Sequence, residues 1–141
     1  MIYSSETLSK KNSHTKVTFQ LSNGSALNYN DQRIFGRLQF CRSPGEIKFL
    51  QSLGAEPFSQ EWNFKQLFVQ LARRGTAVKN VLMDQKVVAG IGNIYASEIL
   101  FRSGVHPQRA ANTLKLPEIK TLHRMTREVL EEAIRFRGTS M

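Results

Sequence analysis

Between Leu82 and Phe101 the chain reads LMDQKVVAGIGNIYASEILF, and this stretch constrains the fold more than any other. An apolar lead-in of Val87, Val88 and Ala89 runs into Gly90, Ile91 and Gly92, then Asn93, and then a helical sequence. Asn is a favoured N-cap because its side-chain oxygen accepts from one of the first backbone N–H groups, which have no partner inside the helix. Glycines let the main chain take positive φ and let a partner come close to it. At about 100° per residue, Tyr95, Ala96, Ile99 and Leu100 share one side of this helix, with Ile94 and Phe101 on the other. The spacing thus predicts a helix wedged between two neighbours, with a rigidly held start. Such a start, preceded by glycines and flanked by Lys79 and Lys86, is suited to a phosphate group. The plainer reading of the glycine turn alone is a helix start with no ligand.

Charge points the same way as the helix start. The 141 residues carry 20 Lys plus Arg against 11 Asp plus Glu, a formal charge of +9. That excess suits a surface for a polyanion, since each neutralised phosphate releases counterions. Cys41 is the only cysteine, which excludes a disulfide framework and a cysteine-rich zinc site within one chain. His14, His106 and His123 are scattered, without metal-ligand spacing, so no metal site is expected. No run approaches a membrane span and no signal sequence opens the chain, so an intracellular protein away from membranes is expected.

The order of elements predicts an α+β chain in two parts, residues 1–42 and 43–141. Residues 1–16 read as a short strand or arm at Ile2 and Tyr3 followed by a loop. Val17, Phe19 and Leu21 alternate with polar residues, the period of a half-buried strand. Asn23-Gly24 is a strong hairpin signal, and Leu27 and Tyr29 carry the alternation back. A second turn at Asn30 and Asp31 leads to a third strand over roughly Phe35 to Cys41, completing a short antiparallel β-meander. An exposed edge of that sheet could pair with a second copy. After Ser43, Pro44 and Gly45 the pattern turns helical. Helices are predicted from Pro44 to Leu53, Glu61 to Arg74, a Thr76 cap to Met83, Asn93 to Ser103, and Pro117 to Arg137. The last carries a stripe of Ile119, Leu122, Thr126, Val129, Leu130 and Ala133.

The string DQKVVAGIGNIYASEILFRSGVHP closely resembles the helix–two-turns–helix segment of the formamidopyrimidine-DNA glycosylase and endonuclease VIII family of base-excision repair enzymes. HTKVTFQLSNGSALNYNDQRIFG resembles that family's β-domain hairpins, and RGTSM the segment after its last bundle helix. The likeness runs in order from about His14 to the end. It implies that the chain binds double-stranded DNA, preferentially damaged, with Asn93 and Lys79 on the strand's phosphates and Gly92 and Lys86 beside them. It also implies that Arg33 and Phe35 fill the void left by a flipped base and meet its widowed partner. The plainer alternatives are a cap for Asn93, a solvated helix face for Lys79 and a core ring for Phe35. The chain departs from the family's Pro-Arg-Arg-Phe-Gly turn at Gln32 and Ile34, which predicts a less preorganised turn and a weaker grip. Glu98, where the family also has Glu, is expected to buttress the bundle.

In the family a secondary amine, the N-terminal proline, attacks the sugar C1′, and the next glutamate moves protons. This chain opens Met1-Ile2-Tyr3 and has no such pair, so no catalytic residue is assigned. The family's zinc finger is likewise not expected here, leaving no cofactor. The resemblance thus implies the central, DNA-gripping piece of a glycosylase and AP lyase, without the nucleophile. The alternative is a non-catalytic nucleic-acid-binding module, for DNA or for ribosomal-type RNA.

Overall fold

The computed structural model describes residues 12–136 and Gly138. The expected arm at Ile2 and Tyr3, and the RGTSM segment apart from its glycine, lie outside them. Two compact units divide the chain, Met1–Arg42 and Ser43–Met141.

The first unit is a hairpin. Strands β1 (Thr15–Gln20) and β2 (Ala26–Asn30) pair antiparallel, with Val17 opposite Tyr29 and Phe19 opposite Leu27. Asn23 closes the turn by accepting from the N–H of Ser25 at 3.0 Å, and Gly24 takes φ +82°, which glycine adopts freely. Across the strands the Thr18 hydroxyl donates to Asn28 Oδ1 at 2.8 Å. The expected third strand does not form, and among the described residues the sheet has two strands. Asp31 gathers the N–H groups of Arg33, Ile34 and Gly36, and the last of these lies inside the expected strand. Ile34 also sits at φ +58°, which turns the chain out of extended geometry. The apolar face that alternation placed half inside is left more open, with Val17, Phe19 and Leu27 all exposed. Two short strands supply too little surface to cover it.

The second unit is a helical bundle. A 3-10 turn at Pro44–Glu46 and the short α1 (Lys48–Gln51) replace the single helix expected there, because Ile47 between them is extended. Helix α2 covers Phe64–Ala72, shorter at both ends than the expected Glu61 to Arg74. Asn63 stops it at its start, accepting from the Gln66 N–H at 3.1 Å as an N-cap. Helix α3 covers Val78–Met83, α4 Asn93–Arg102 and α5 Leu116–Arg135. Thr76 does not cap α3. Ala77 holds that position, and the N–H groups of Val78 and Lys79 donate instead to Arg109 O and Pro107 O.

Leu67, Leu71, Leu82, Ile99, Ile119 and Leu122 are sealed in one core. Each such side chain contributes about 1.5–3 kcal/mol of transfer free energy. On α5 the buried stripe also includes Met125, and the Thr126 hydroxyl is satisfied by Leu122 O at 2.9 Å. Helix α4 is not wedged on two sides. Ala96, Ile99 and Leu100 are buried, whereas Ile94 and Phe101 are 61% and 83% exposed. No described helix is long and apolar enough to cross a membrane.

Charge pairing in the bundle is selective. Every ion pair among the described residues is made by arginine: Arg74 with Asp84, Arg102 with Glu98 and Glu132, Arg109 with Glu118, and Arg124 with Glu128. Arg102 ties α4 to α5 through Glu132 at 2.7 Å, while Glu98, one turn back on α4, holds the same guanidinium at 2.7 Å from its own helix. The Arg109 fork, and then the Lys115 N–H, hold the Glu118 carboxyl below its ordinary pKa at the start of α5.

Gly54 crosses the bundle where a side chain has no room. A Cβ there would meet the backbone carbon and oxygen of Val87 at 2.5 Å. Gly54→Ala is therefore expected to cost about 1–3 kcal/mol in a denaturant titration. An unchanged midpoint would show that the strand-like contact at this point yields easily.

Candidate nucleic-acid interface

The turn from Asp84 to Gly92 is buried on one side and bare on the other. Val87, Val88, Ala89 and Ile91 are inside, while Lys86, Gly90, Gly92 and Asn93 are exposed. Gly90 takes φ +86°, and this reversal lets the chain drop Ile91 into the core and come straight back out. Asp84 ends α3 and holds the near side of the turn, accepting from Lys86 N at 3.0 Å through its carboxylate and from Val87 N at 2.8 Å through its carbonyl. On the far side the N–H of Ala89 donates to Ala55 O at 3.1 Å.

Gly92, not Asn93, is the N-cap of α4, and Asn93 is its first helical residue. The Asn93 side chain makes no cap hydrogen bond, because a residue already inside the first turn cannot reach back over the N–H groups that follow it. The first helical bond is from Ala96 N to Gly92 O at 2.9 Å. The N–H groups of Asn93, Ile94 and Tyr95 have no acceptor among the described residues. They stand at the positive end of a ten-residue helix whose inner face is locked in the core. The Asn93 side chain is thereby left to solvent.

Two lysines come from the turn and from the helix before it. Lys86 is exposed on the turn itself, and Lys79 is half-buried on α3, which packs against α4. The main chain of Lys79 is fixed by Pro107 O at 3.2 Å, so its side chain leaves from a braced point. Gly75, an exposed glycine just before α3, takes no positive φ. Among the described residues no three His, Cys, Asp or Glu side chains gather as a metal site would require.

Arg33 and Phe35 belong to the other unit. The guanidinium carbon of Arg33 lies 4.9 Å from the centroid of the Phe35 ring, and the ring is 76% exposed, not packed in a β-core. The turn that presents them is ordered without proline. Asp31 accepts from Gly36 N at 2.7 Å, Ile34 N at 2.9 Å and Arg33 N at 3.1 Å. The Gly36 amide first, then those of Ile34 and Arg33, hold the carboxyl of Asp31 below its ordinary pKa. Asp31 was missed as a site residue, although an Asp opening a turn is the usual signal for such side-chain-to-backbone bonding.

Buried anchors, two turns between helices and a bare helix tip together define the second unit as a helix–two-turns–helix domain. Residues 53–141 match the family model for the formamidopyrimidine-DNA glycosylase H2TH domain. The chain belongs to the formamidopyrimidine-DNA glycosylase family. It is 40% identical over 134 residues to the formamidopyrimidine-DNA glycosylase of Shouchella clausii and 45% identical over 129 residues to that of Desulfitobacterium hafniense. These alignments cover 94% and 90% of this chain but 49% and 47% of the relatives. Among solved structures, the MutM (Fpg) protein of Thermus thermophilus superposes with a TM-score of 0.85 at 38% identity. The Lactococcus lactis enzyme, non-covalently bound to DNA containing an AP site, does so with 0.85 at 30% identity. Both cover 94% of this chain and 50% of the solved one, so the chain spans about half the length of the relatives it matches.

The sign of the Asp31 shift gives a pH test. A depressed carboxyl stabilises the turn above the free-aspartate value of about 3.9, and that contribution is lost as pH falls through the lower folded value. The Gly36 amide resonance is expected to hold steady at neutral pH and move only in the acid range, and Asp31→Ala should move it at every pH. A Gly36 amide indifferent to both would remove Asp31 from this role.

Proposed function

We propose that this chain is the DNA-gripping part of a base-excision repair glycosylase and AP lyase acting on oxidised bases. The tip of α4, with Asn93 and Gly92, holds the phosphate backbone of duplex DNA, preferentially damaged, with Lys79 and Lys86 as further phosphate contacts. Phosphate contacts fix the register of a duplex without reading its sequence, as an enzyme that scans all DNA requires. The observation that carries the reading is the row of three unpartnered N–H groups on exposed backbone at the start of a braced helix. The exposed stack of Arg33 on Phe35 supports a second contact, in which the ring props the kinked stack and the guanidinium donates to the widowed base. No residue is assigned as nucleophile and no cofactor is assigned to the chain. Its place is then with the chromosome, in a bacterial cytoplasm or nucleoid. The bare apolar face and open edges of the hairpin further support pairing of two copies through β-edges at high concentration.

Lys79→Ala is expected to weaken binding to any duplex and to lower the log–log salt slope by about one in magnitude. Arg33→Ala should instead reduce discrimination among bases opposite a lesion. Equal effects of both on undamaged duplex would overturn this division of labour. With Ile34 in place of an arginine, affinity is expected in the non-specific range of about 10⁻⁴–10⁻⁶ M at physiological salt. Structured RNA bound more tightly than abasic-site duplex at matched salt would replace the DNA reading. Borohydride trapping on abasic-site DNA is expected to leave the chain free, and a covalent adduct would reveal a nucleophile.

A further inference from the structure

The side chain of Gln85 lies inside the turn that leads to α4, with both ends of its amide used. Its Nε2 donates to Ile91 O at 2.9 Å and to Met83 O at 3.2 Å, while its Oε1 accepts from Gly90 N at 2.8 Å. Two carbonyls at one end and an N–H at the other admit only this orientation of the amide. The residue is half-buried, and its own carbonyl accepts from Gly54 N at 2.8 Å, so its main chain is anchored apart from its side chain.

The bond to Ile91 O has a geometric consequence. A trans peptide carries its C=O and N–H on opposite sides, and no cis peptide occurs among the described residues. Holding Ile91 O toward Gln85 therefore aims Gly92 N–H away from it, on the exposed side of the turn. The Ile91 side chain is sealed in the core, but the peptide that follows ends in a glycine with no Cβ to resist rotation. Turned over, that peptide would present a carbonyl oxygen beside the N–H groups of Asn93 and Ile94 and repel an anion. The second bond, from Gly90 N, restrains the turn at its other glycine.

We propose that Gln85 is a positioning residue for the anion site, setting the Ile91–Gly92 peptide so that Gly92 N–H joins the free amides of α4 toward one phosphate oxygen. This rests on the reading of the α4 tip as a phosphate contact. Because the contact is made by neutral amides, it releases no counterions, and its loss lowers affinity without changing the salt slope. That separates it from Lys79, whose loss changes both.

The test uses the 141-residue chain and a plain duplex, with binding followed across a salt series and backbone amides followed by NMR. In the wild type, the Gly92 and Asn93 amides are expected to shift on adding duplex. Gln85→Met and Gln85→Leu both remove the amide without adding a charge. Both are expected to bind about tenfold more weakly, the usual scale for one hydrogen bond to a charged group, at unchanged slope. Wild-type affinity in Gln85→Met, or a loss accompanied by a shallower slope, would overturn the proposal. So would a wild-type Gly92 amide unmoved by duplex while amides around Lys79 respond, a result that needs no variant to fold. If the wild type showed no salt-dependent binding at all, the underlying phosphate reading would fail instead.

Discussion

Burial of Val88 and Ile91 beneath an otherwise bare turn is the constraint on which the candidate interface depends. These two side chains, at 0% and 1% exposure, pin the main chain to the core from one side. Their transfer free energy, about 1.5–3 kcal/mol each, exceeds the roughly 0.5–1.5 kcal/mol that a typical hydrogen bond of the turn supplies. Pinned in this way, the backbone has little choice about where its polar groups go. Those facing inward meet Gln85, Asp84 and Ala55, and those at the start of α4 face outward with nothing to accept from them. The bare amides are therefore a product of packing, held in place whether or not a ligand is present. A site made this way needs little reordering on binding, which reduces the entropic cost of association.

Much of this was legible from the residues themselves. The apolar lead-in, the two glycines and the stripe of Ala96, Ile99 and Leu100 placed α4 to within a residue, because a long periodic segment has few other ways to bury itself. Asn93 as the cap was not right. Cap and first helical residue differ by one step in where the backbone leaves extended geometry, and side-chain preference for Asn cannot compete with a glycine already at φ −102° and ψ −176°. The outer face of α4 was also misjudged. Ile94 and Phe101 are apolar by type, and periodicity places them opposite the core without saying what, if anything, covers them. Gln85 and Asp31 left no periodic trace, since their partners are backbone groups whose positions exist only after the turn has closed.

The hairpin unit shows how one carboxylate can substitute for a stiff ring. Where proline would restrict the turn by fixing φ, Asp31 restricts it by gathering three N–H groups. One of the same bonds takes the Gly36 amide, inside the segment expected as a third strand, and among the described residues the sheet has two strands. Ile34 is carried into the left-handed region, an arrangement that costs a β-branched residue about 1–3 kcal/mol. The carboxylate and the pairing of β1 with β2 hold it there. The result is a loop whose aromatic and cationic side chains stack on each other outside any core.

The cations of the bundle differ in how tightly the protein itself holds them. In the bundle the forked guanidinium groups of Arg74, Arg102, Arg109 and Arg124 are occupied by the protein's own carboxylates. Arg73, Arg127 and Arg135 make no ion pair among the described residues, and neither do Lys65, Lys79 and Lys86, which are compact, strongly hydrated charges on flexible stems. Such groups exchange one oxygen for the next with little geometric penalty. On a surface furnished in this manner the exposed charge is loosely held, while the neutral amides of the helix tip keep one fixed direction.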